Sequence, residues 1–151
     1  MSSRTVPKLT HEIMKAKEKA SHFMDIDISQ WPVVQFRATG KRFWQSEFDA
    51  YLEVFGFLLT KAEPCSLRLL FDLSNAPILM DPRCFWWQSA FSESMRSFYE
   101  CKIERTAIVL SFKPLRNYIN GYFKRTPATR PKKFFASALE ARQALAKGWS
   151  T

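Results

Sequence analysis

The sequence is poor in the residues from which common catalytic and metal sites are built. It holds two histidines, three cysteines and four glycines among 151 residues, and its cysteines show no CxxC spacing. A structural zinc site needs four ligands and a phosphate-binding loop needs closely spaced glycines, so we expect neither. No GxSxG motif is present, and both histidines lie near the N-terminus. The sequence therefore predicts a protein that is not an enzyme and holds no metal and no cofactor.

Long apolar runs are missing as well. Polar residues interrupt every apolar stretch well short of the ~20 residues that span a bilayer, and the first residues lack the apolar core of a secretory signal. The sequence thus predicts a cytoplasmic protein without a transmembrane segment. In that compartment Cys65, Cys84 and Cys101 are expected to be reduced and mostly buried, because a thiol packs as a small hydrophobe.

What the chain does have is apolar material and an uneven charge. Hydrophobic residues make up 46% and aromatic residues 15%, enough for the single core expected of a domain of this length. Residues 1–101 hold 12 basic and 12 acidic side chains, whereas residues 102–151 hold 11 and 2. The net charge of +9 therefore belongs to the C-terminal third. This asymmetry favours an anionic partner, with a plain solvated face as the alternative.

Strand and helix patterns alternate along the chain. Residues 1–22 are predicted to form an arm with a marginal helix, whose thin apolar stripe holds Ile13, Met14 and Ala20, ahead of one α/β domain over residues 23–151. Period-two and apolar runs predict strands at 23–28, 33–39, 66–73, 106–112 and 133–136. Helical periodicity predicts helices at 45–61 and 81–100, after Pro114, and from a Ser137 cap to about Gly148. Ser46 and Asp49 are expected to cap the helix over 45–61.

The order β-β-α-β-α-β-α-β-α predicts a single domain of the α/β class. Its sheet is expected to have four to five strands that are mostly parallel, with an antiparallel first strand and helices on its faces.

Four segments in this order resemble the SpoIIAA-like, or STAS/SEC14-type, family of small α/β domains. The resemblance spans roughly residues 23–147, and its specificity comes from the order and spacing of the segments. They are Trp31-Pro32-Val33-Val34 with Phe36 and Gly40, Glu47 to Leu52, Leu70 to Ser74, and Phe134 to Ala141. The last of these is similar to a closing "F-x-S-x-x-E-A" strand-to-helix junction of the family.

The resemblance implies a binding and signalling module, since better-known members are anti-sigma factor antagonists or cytosolic domains of anion transporters. Those antagonists carry a phosphorylatable serine in an Asp-Ser-Ser-Gly-like turn. This sequence reads Asn-Ala-Pro-Ile at 75–78 instead, so the phosphorylation switch is missing. Ser74 remains, and a turn role explains its hydroxyl better than phosphorylation does.

Two candidate partner-binding sites follow from the residues. Asp72, Ser74 and Asn75 end a buried strand at the edge where open α/β sheets hold ligands. The alternative is that Asp72 braces the loop that follows. Phe85 and Trp86 fall outside the apolar stripe of their predicted helix, so they are expected either to contact a protein partner, a second copy of the chain or a lipid tail, or to be buried more deeply in the same core.

A third candidate site is the basic segment over residues 113–133. Its lysines and arginines could neutralise the phosphates of a nucleic acid or an anionic phospholipid headgroup. They are Lys113, Arg116, Lys124, Arg125, Arg130, Lys132 and Lys133. The aromatic residues between them have helical spacing, which favours core positions over base stacking. The sequence thus predicts a non-catalytic regulatory or protein-binding module, with an anion-binding protein as the alternative.

Overall fold

The structure is a computed structural model that describes residues 5–75, 87, 90–91, 93–110, 113–114, 116–117 and 131–148. These residues form the strands β1 (Met24–Gln30), β2 (Val33–Ala38), β3 (Leu67–Asp72), β4 (Ile103–Val109) and β5 (Lys132–Phe135). They also form the helices α1 (His11–Ala20), α2 (Gln45–Lys61), α3 (Arg96–Lys102) and α4 (Ala138–Lys147).

The described strands form one sheet in the order β1-β2-β3-β4-β5. β1 and β2 are antiparallel, and β2 with β3, β3 with β4 and β4 with β5 are parallel. A tight turn at Trp31 and Pro32 closes the antiparallel hairpin, whereas parallel neighbours need longer crossovers such as α2. The predicted mostly parallel sheet with an antiparallel first strand is confirmed.

One face of the sheet is covered by α1 and α2. Phe36, in the middle of β2, is fully buried there. Its ring centroid lies 5.6 Å from that of Tyr51, 5.1 Å from that of Phe55 and 4.7 Å from that of Phe71. The helical periodicity of 45–61 predicts one apolar stripe on α2, and its members are buried except Leu52, which keeps part of its surface exposed. The stripe consists of Phe48, Tyr51, Leu52, Phe55, Leu58 and Leu59. Burying a large apolar side chain contributes roughly 1.5–3 kcal/mol, so this face is the main core.

The helix predicted near the N-terminus is α1, and it packs against α2. The Thr10 hydroxyl accepts a hydrogen bond from the Ile13 N–H at 3.2 Å, which caps the helix. Ile13 and Ala16 are buried, whereas Met14 is 56% exposed. The prediction that Met14 belongs to the apolar stripe was wrong, because the helix turns Ala16 toward α2 instead. The boundary after residue 22 stays a prediction.

The other face of the sheet is covered by α4. Ala141 and Leu145 of the helix form a small core with Leu70 of β3 and with Ala107 and Val109 of β4. The helix contacts β3, β4 and β5, and Arg142 donates a hydrogen bond to the Gln35 side chain of β2 at 3.4 Å. The buried side chains of this second core are fewer and aliphatic, and the half-buried Phe135 packs against them.

Both ends of α4 follow the sequence prediction. The Ser137 hydroxyl accepts a hydrogen bond from the Glu140 N–H at 3.2 Å, as an N-cap residue does. Gly148 ends the helix with a φ of +85°, and a Cβ there would collide with the Arg105 guanidinium. Arg105 donates to the Leu145 carbonyl at 3.4 Å, so a cation faces the negative end of the helix dipole.

The strand predicted over 106–112 begins earlier, at Ile103, and ends at Val109. Ile103 is buried and continues the core face. The strand accommodates the next two residues, Glu104 and Arg105, because their charges are paired. The Glu104 carboxylate accepts hydrogen bonds from Arg68 Nε at 2.7 Å and from the Arg105 guanidinium. The partner on β3 lies 36 positions away, so a local pattern does not reveal it.

The start of α2 also differs from the prediction. The helix begins at Gln45, and Trp44 precedes it in an extended conformation. The Glu47 carboxylate accepts a hydrogen bond from the Trp44 N–H at 2.8 Å. The cap predicted at Ser46 and Asp49 was therefore wrong, since the helix already includes both residues.

The helix predicted over 81–100 is described in part. Trp87 and Phe91 are helical and pack on α2, with ring centroids 5.4 Å from that of Phe48 and 5.5 Å from that of Phe55. Met95 is a turn residue, and α3 follows it as a separate segment. Helical spacing also predicts that Trp87 and Phe91 face the core, and both pack against it. The prediction of one unbroken helix was wrong, because Met95 interrupts it.

Candidate functional site

The carboxyl ends of β2, β3 and β4 meet at one side of the sheet, where open α/β sheets bind ligands. The loop after β2 touches the turn after β3, since a Cβ on Gly40 would lie 2.8 Å from the Asn75 carbonyl oxygen. Gly40 has a φ of +89°, which also favours glycine. The Leu73 N–H donates to the Val109 carbonyl at 2.9 Å, which ties this turn to β4. We refer to these strand ends and the loops that follow them as the carboxyl edge.

Asp72, Ser74 and Asn75 lie at the carboxyl edge, where the sequence places the rim of a binding site. The Asp72 carboxylate accepts hydrogen bonds from the Ser74 N–H at 3.1 Å and from the Ser74 hydroxyl at 2.5 Å. Aspartate commonly forms such a turn with the residue two positions on. The geometry agrees with the alternative interpretation, in which Asp72 braces the loop. A binding role for the three residues stays a prediction.

Among the described residues of this edge, Trp44 is the most exposed large apolar side chain, at 77%. Its neighbour Phe43 points the other way, and the Phe43 ring centroid lies 4.4 Å from that of Phe23. Because Phe43 is packed and the Trp44 N–H is bonded to Glu47, the backbone that carries the indole is held on both sides. Trp44 therefore presents an exposed indole to solvent on a fixed backbone.

Two cations stand beside this indole in the chain. Lys41 and Arg42 are exposed in the same loop, and neither forms an ion pair with a carboxylate in the described part of the chain. The loop therefore combines an exposed ring with two accessible positive charges. We call residues 40–44 the Trp44 loop.

The Trp44 loop was not among the predicted sites, because the candidate aromatic residues were those that fall outside the apolar stripe of a predicted helix. The signal was two adjacent aromatic residues between Gly40 and the first turn of a helix. In a short connection that leaves an edge of the sheet, two successive side chains rarely both reach the core. A pair such as Phe43 and Trp44 therefore indicates that one ring is exposed, although the pattern does not say which.

The described members of the predicted anion site fall into two groups. Lys113 and Arg116 follow β4 at the carboxyl edge, where Lys113 is exposed and Arg116 is half-buried. Lys132 and Lys133 begin β5, beside the middle of β4. One pair thus lies beyond the carboxyl end of β4 and the other beside its middle, so the four residues do not form one compact cluster.

Lys132 and Lys133 have neighbours that account for their positions. Lys133 Nζ lies 5.7 Å from the centroid of the Phe135 ring, a cation–π contact within β5. Much of Lys132 reaches solvent, yet desolvation around its ammonium lowers the pKa of that group to about 8. Charged residues on a strand at the end of a sheet also discourage pairing with other chains. A role in anion binding stays a prediction for both residues.

Five predicted site residues lie outside the described residues. They are Phe85, Trp86, Lys124, Arg125 and Arg130. Partner contact through the first two and anion binding through the other three stay predictions. Cys84 also lies outside the described residues.

The thiols of Cys65 and Cys101 are exposed, so the expectation of mostly buried cysteines was wrong for both. Cys65 occupies a turn with a φ of +56° just before β3. Cys101 lies in the last turn of α3, just before β4. Both residues thus lie at the amino ends of neighbouring parallel strands, on the side of the sheet opposite the carboxyl edge.

A shallow groove of about 520 Å³ lies between α1 and the amino-terminal half of α2, and Ser46 in its lining is two residues from Trp44. Small and charged side chains line it, including Ala16, Ala50, Lys19, Asp49 and Glu53. Among the described residues no three histidine, cysteine or carboxylate side chains are grouped so that they could hold a metal ion. None of the described helices is both long and apolar enough to cross a membrane.

One solved structure shares this architecture. It is the crystal structure of an uncharacterised protein of the DUF3478 family from Shewanella loihica PV-4, described as having a SpoIIAA-like fold. The two chains are 17% identical and superpose with a TM-score of 0.59, over 81% of this chain and 91% of the other. No family model and no curated protein matches the chain. The likeness, at this identity, shows the fold alone.

Proposed function

We propose that this chain, whose fold is SpoIIAA-like, is a non-catalytic regulatory module that binds a protein partner in the cytoplasm through the Trp44 loop. The supporting observation is the 77% exposure of Trp44 on a fixed backbone at the carboxyl edge. The sequence itself supports a non-catalytic role, because it lacks the nucleophile and phosphate-loop motifs of common enzymes.

Trp44 has the properties of an anchor residue. Tryptophan and arginine are the residues that most often dominate the energy of protein interfaces, and an anchor on a rigid backbone loses little entropy when it binds. Arg42, two residues before Trp44 in the same loop, supplies the arginine. Lys41 adds a further positive charge, so an acidic partner surface would be attracted to the loop.

Regulation through phosphorylation of Ser74 is not part of the proposal. The Ser74 hydroxyl donates to the Asp72 carboxylate. A phosphoryl group on that oxygen would be held against a negative charge and would lose the hydrogen bond. The partner is therefore expected to bind the unmodified domain.

Trp44→Ala is the first test. A protein captured by the wild-type chain is purified and titrated against wild-type and variant chains by calorimetry. Loss of an anchor of this kind costs about 2 kcal/mol, so the dissociation constant should rise about 30-fold. The unfolding midpoint should stay within about 2 °C, because the ring is exposed.

Met14→Ala is the matched control, since Met14 is an apolar side chain that is 56% exposed on α1. It should leave the dissociation constant unchanged. Equal affinity of the wild-type and Trp44→Ala chains for the partner would contradict the proposal.

Anion binding is the second candidate, and one observation favours it: Lys113 and Arg116 follow β4 at the same edge as Lys41 and Arg42. A single-stranded oligonucleotide and vesicles with anionic lipid are the probes, each at about 50 and 200 mM salt. Binding that falls steeply with salt, and is lost on changing Lys113 and Arg116 to glutamate, would replace the protein-partner proposal. Weak binding that survives the two glutamate substitutions would leave the protein-partner proposal in place.

A further inference from the structure

We infer that Cys65 and Cys101 form a reversible intramolecular disulfide, which makes the amino side of the sheet an oxidation site. The Cys65 N–H donates to the Cys101 carbonyl at 2.7 Å, and the Ser66 N–H donates to the Lys102 carbonyl at 3.1 Å. These two bonds join the turn just before β3 to the last turn of α3, next to the point where Leu67 of β3 lies opposite Ile103 of β4. The two cysteines are therefore direct neighbours across adjoining chain segments.

This pairing fixes a backbone separation that suits a disulfide. Leu67 and Ile103, two residues further along each segment, are paired in the sheet, where neighbouring strands lie about 4.7–4.9 Å apart. The Cα atoms of bonded cysteines are usually about 4.4–6.8 Å apart. The bond can therefore form without separating β3 from β4, and the adjustment falls on the turn at Cys65 and the helix end at Cys101.

Both thiols are open to small oxidants. Cys65 and Cys101 are exposed, and each lies at a junction between a strand and another element. Structural thiols in a core are shielded from attack, whereas these two can be reached from solvent. In a reducing compartment a disulfide between such residues acts as a transient sensor.

A low-molecular-weight disulfide such as oxidised glutathione is a sufficient oxidant. One cysteine thiolate attacks a sulfur of that disulfide, which forms a mixed disulfide and expels one glutathione thiolate. The second cysteine thiolate then attacks the protein sulfur of the mixed disulfide and expels the other glutathione. The protein loses two electrons and two protons, and one oxidised glutathione becomes two reduced glutathione molecules.

The bond would close a loop of 37 residues, 65–101, that contains β3 and all but the last residue of α3. Closing a loop of this length restricts the unfolded chain and stabilises the fold. Oxidation should therefore raise the unfolding midpoint by about 5 °C or more, and a reductant should reverse the rise.

The experiment uses the full chain with Cys84→Ser, so that only Cys65 and Cys101 can react. The protein is exposed to oxidised glutathione at fixed glutathione redox ratios, alkylated and digested, and its peptides are identified by mass spectrometry. The expected result is one peptide pair linked through Cys65 and Cys101, together with the rise in the unfolding midpoint.

Cys65→Ser and Cys101→Ser, each in the same background, are the controls. Each should stop at one bound glutathione, with no rise in the midpoint. If the two-cysteine protein instead carries two glutathione molecules, or forms disulfide-linked dimers, the inference is overturned. A Cys65–Cys101 bond that forms without any shift of the unfolding midpoint would contradict the expectation that closing this loop stabilises the fold.

Discussion

The two faces of the sheet reach stability in different ways. On the face covered by α1 and α2, rings from β2, β3, α2 and the segment around residue 91 contact one another in a continuous aromatic cluster. On the face covered by α4, the buried core side chains are small and aliphatic. The ion pairs of Arg68, Glu104 and Arg105 lie near the amino-terminal ends of β3 and β4. The first face thus depends on packing, and the second combines packing with charge.

This difference predicts which substitutions the fold tolerates. A ring in the aromatic cluster has partners on several elements, so its loss leaves a cavity that rigid neighbours cannot fill. A side chain on α4 faces fewer elements, and the helix can shift toward the sheet when that side chain is shortened. Substitutions on the α4 face should therefore cost less, and part of the cost should depend on pH.

Phe36→Ala is the change with the largest expected effect. Phe36 is fully buried between three aromatic neighbours, and truncation of such a residue lowers the free energy of unfolding by about 3–5 kcal/mol. Urea unfolding followed by circular dichroism measures the loss. Phe36→Leu, which keeps more of the volume, should lose about half as much. A loss below about 2 kcal/mol for Phe36→Ala would mean that the cluster can collapse around a missing ring.

Leu145→Ala should have a smaller effect on the other face. Leu145 is 2% exposed in the small core beneath α4, and we expect a loss of about 2–3 kcal/mol in the same urea experiment. Leu139→Ala on the same helix is the control, since Leu139 is 63% exposed and should change the free energy by less than about 0.5 kcal/mol. If Leu145→Ala cost as much as Phe36→Ala, the proposed difference between the faces would be wrong.

Glu104→Gln should have the smallest of the three effects, and it adds a pH dependence. Desolvation by burial raises the pKa of Glu104, but hydrogen bonds and charge from Arg68 and Arg105 outweigh it and hold the pKa below its ordinary value of 4.5. The carboxylate therefore stabilises the fold above pH 4.5, and this contribution is lost as the pH falls through the lowered pKa. At pH 7 the variant should lose about 1–2 kcal/mol.

Urea unfolding at pH 7 and at pH 3 separates the charge effect from packing. The gap in the free energy of unfolding between wild type and Glu104→Gln should narrow at pH 3, because this pH lies below the ordinary pKa of 4.5 and part of the carboxylate's contribution is then lost. Glu93→Gln removes an exposed ion pair with Arg96 and should have almost no effect at either pH. A gap that stays constant between the two pH values would show that Glu104 acts through packing rather than through its charge.

Local periodicity was sufficient to predict the sheet and most helices. The stripe of α2, the alternation in β1 and the Ser137 cap of α4 all depend on residues close together in the chain. The start of β4 was missed because Glu104 becomes compatible with a strand only once Arg68 stands beside it. That contact depends on the register of β3 and β4, which no local pattern contains.

The candidate sites were less predictable for the same reason. Side-chain types identified Asp72 and the basic residues as candidates, but the bonds to Ser74 and the separation of Lys113 from Lys132 come from tertiary structure. The nearness of Cys65 and Cys101 follows from the two backbone hydrogen bonds that join the turn before β3 to the end of α3. Sequence spacing gives no sign of it.

The strand order has a consequence for how the domain is made. Because the described strands stand in the sheet in the same order as in the chain, each one can dock on its predecessor as it leaves the ribosome. Until β5 arrives, β4 is the growing edge and presents Ile108 and Val109 with unpaired backbone groups, which invites aggregation. The short lysine-bearing β5 then covers that edge. A nascent chain that stops before residue 132 should therefore depend on chaperones more than the complete domain does.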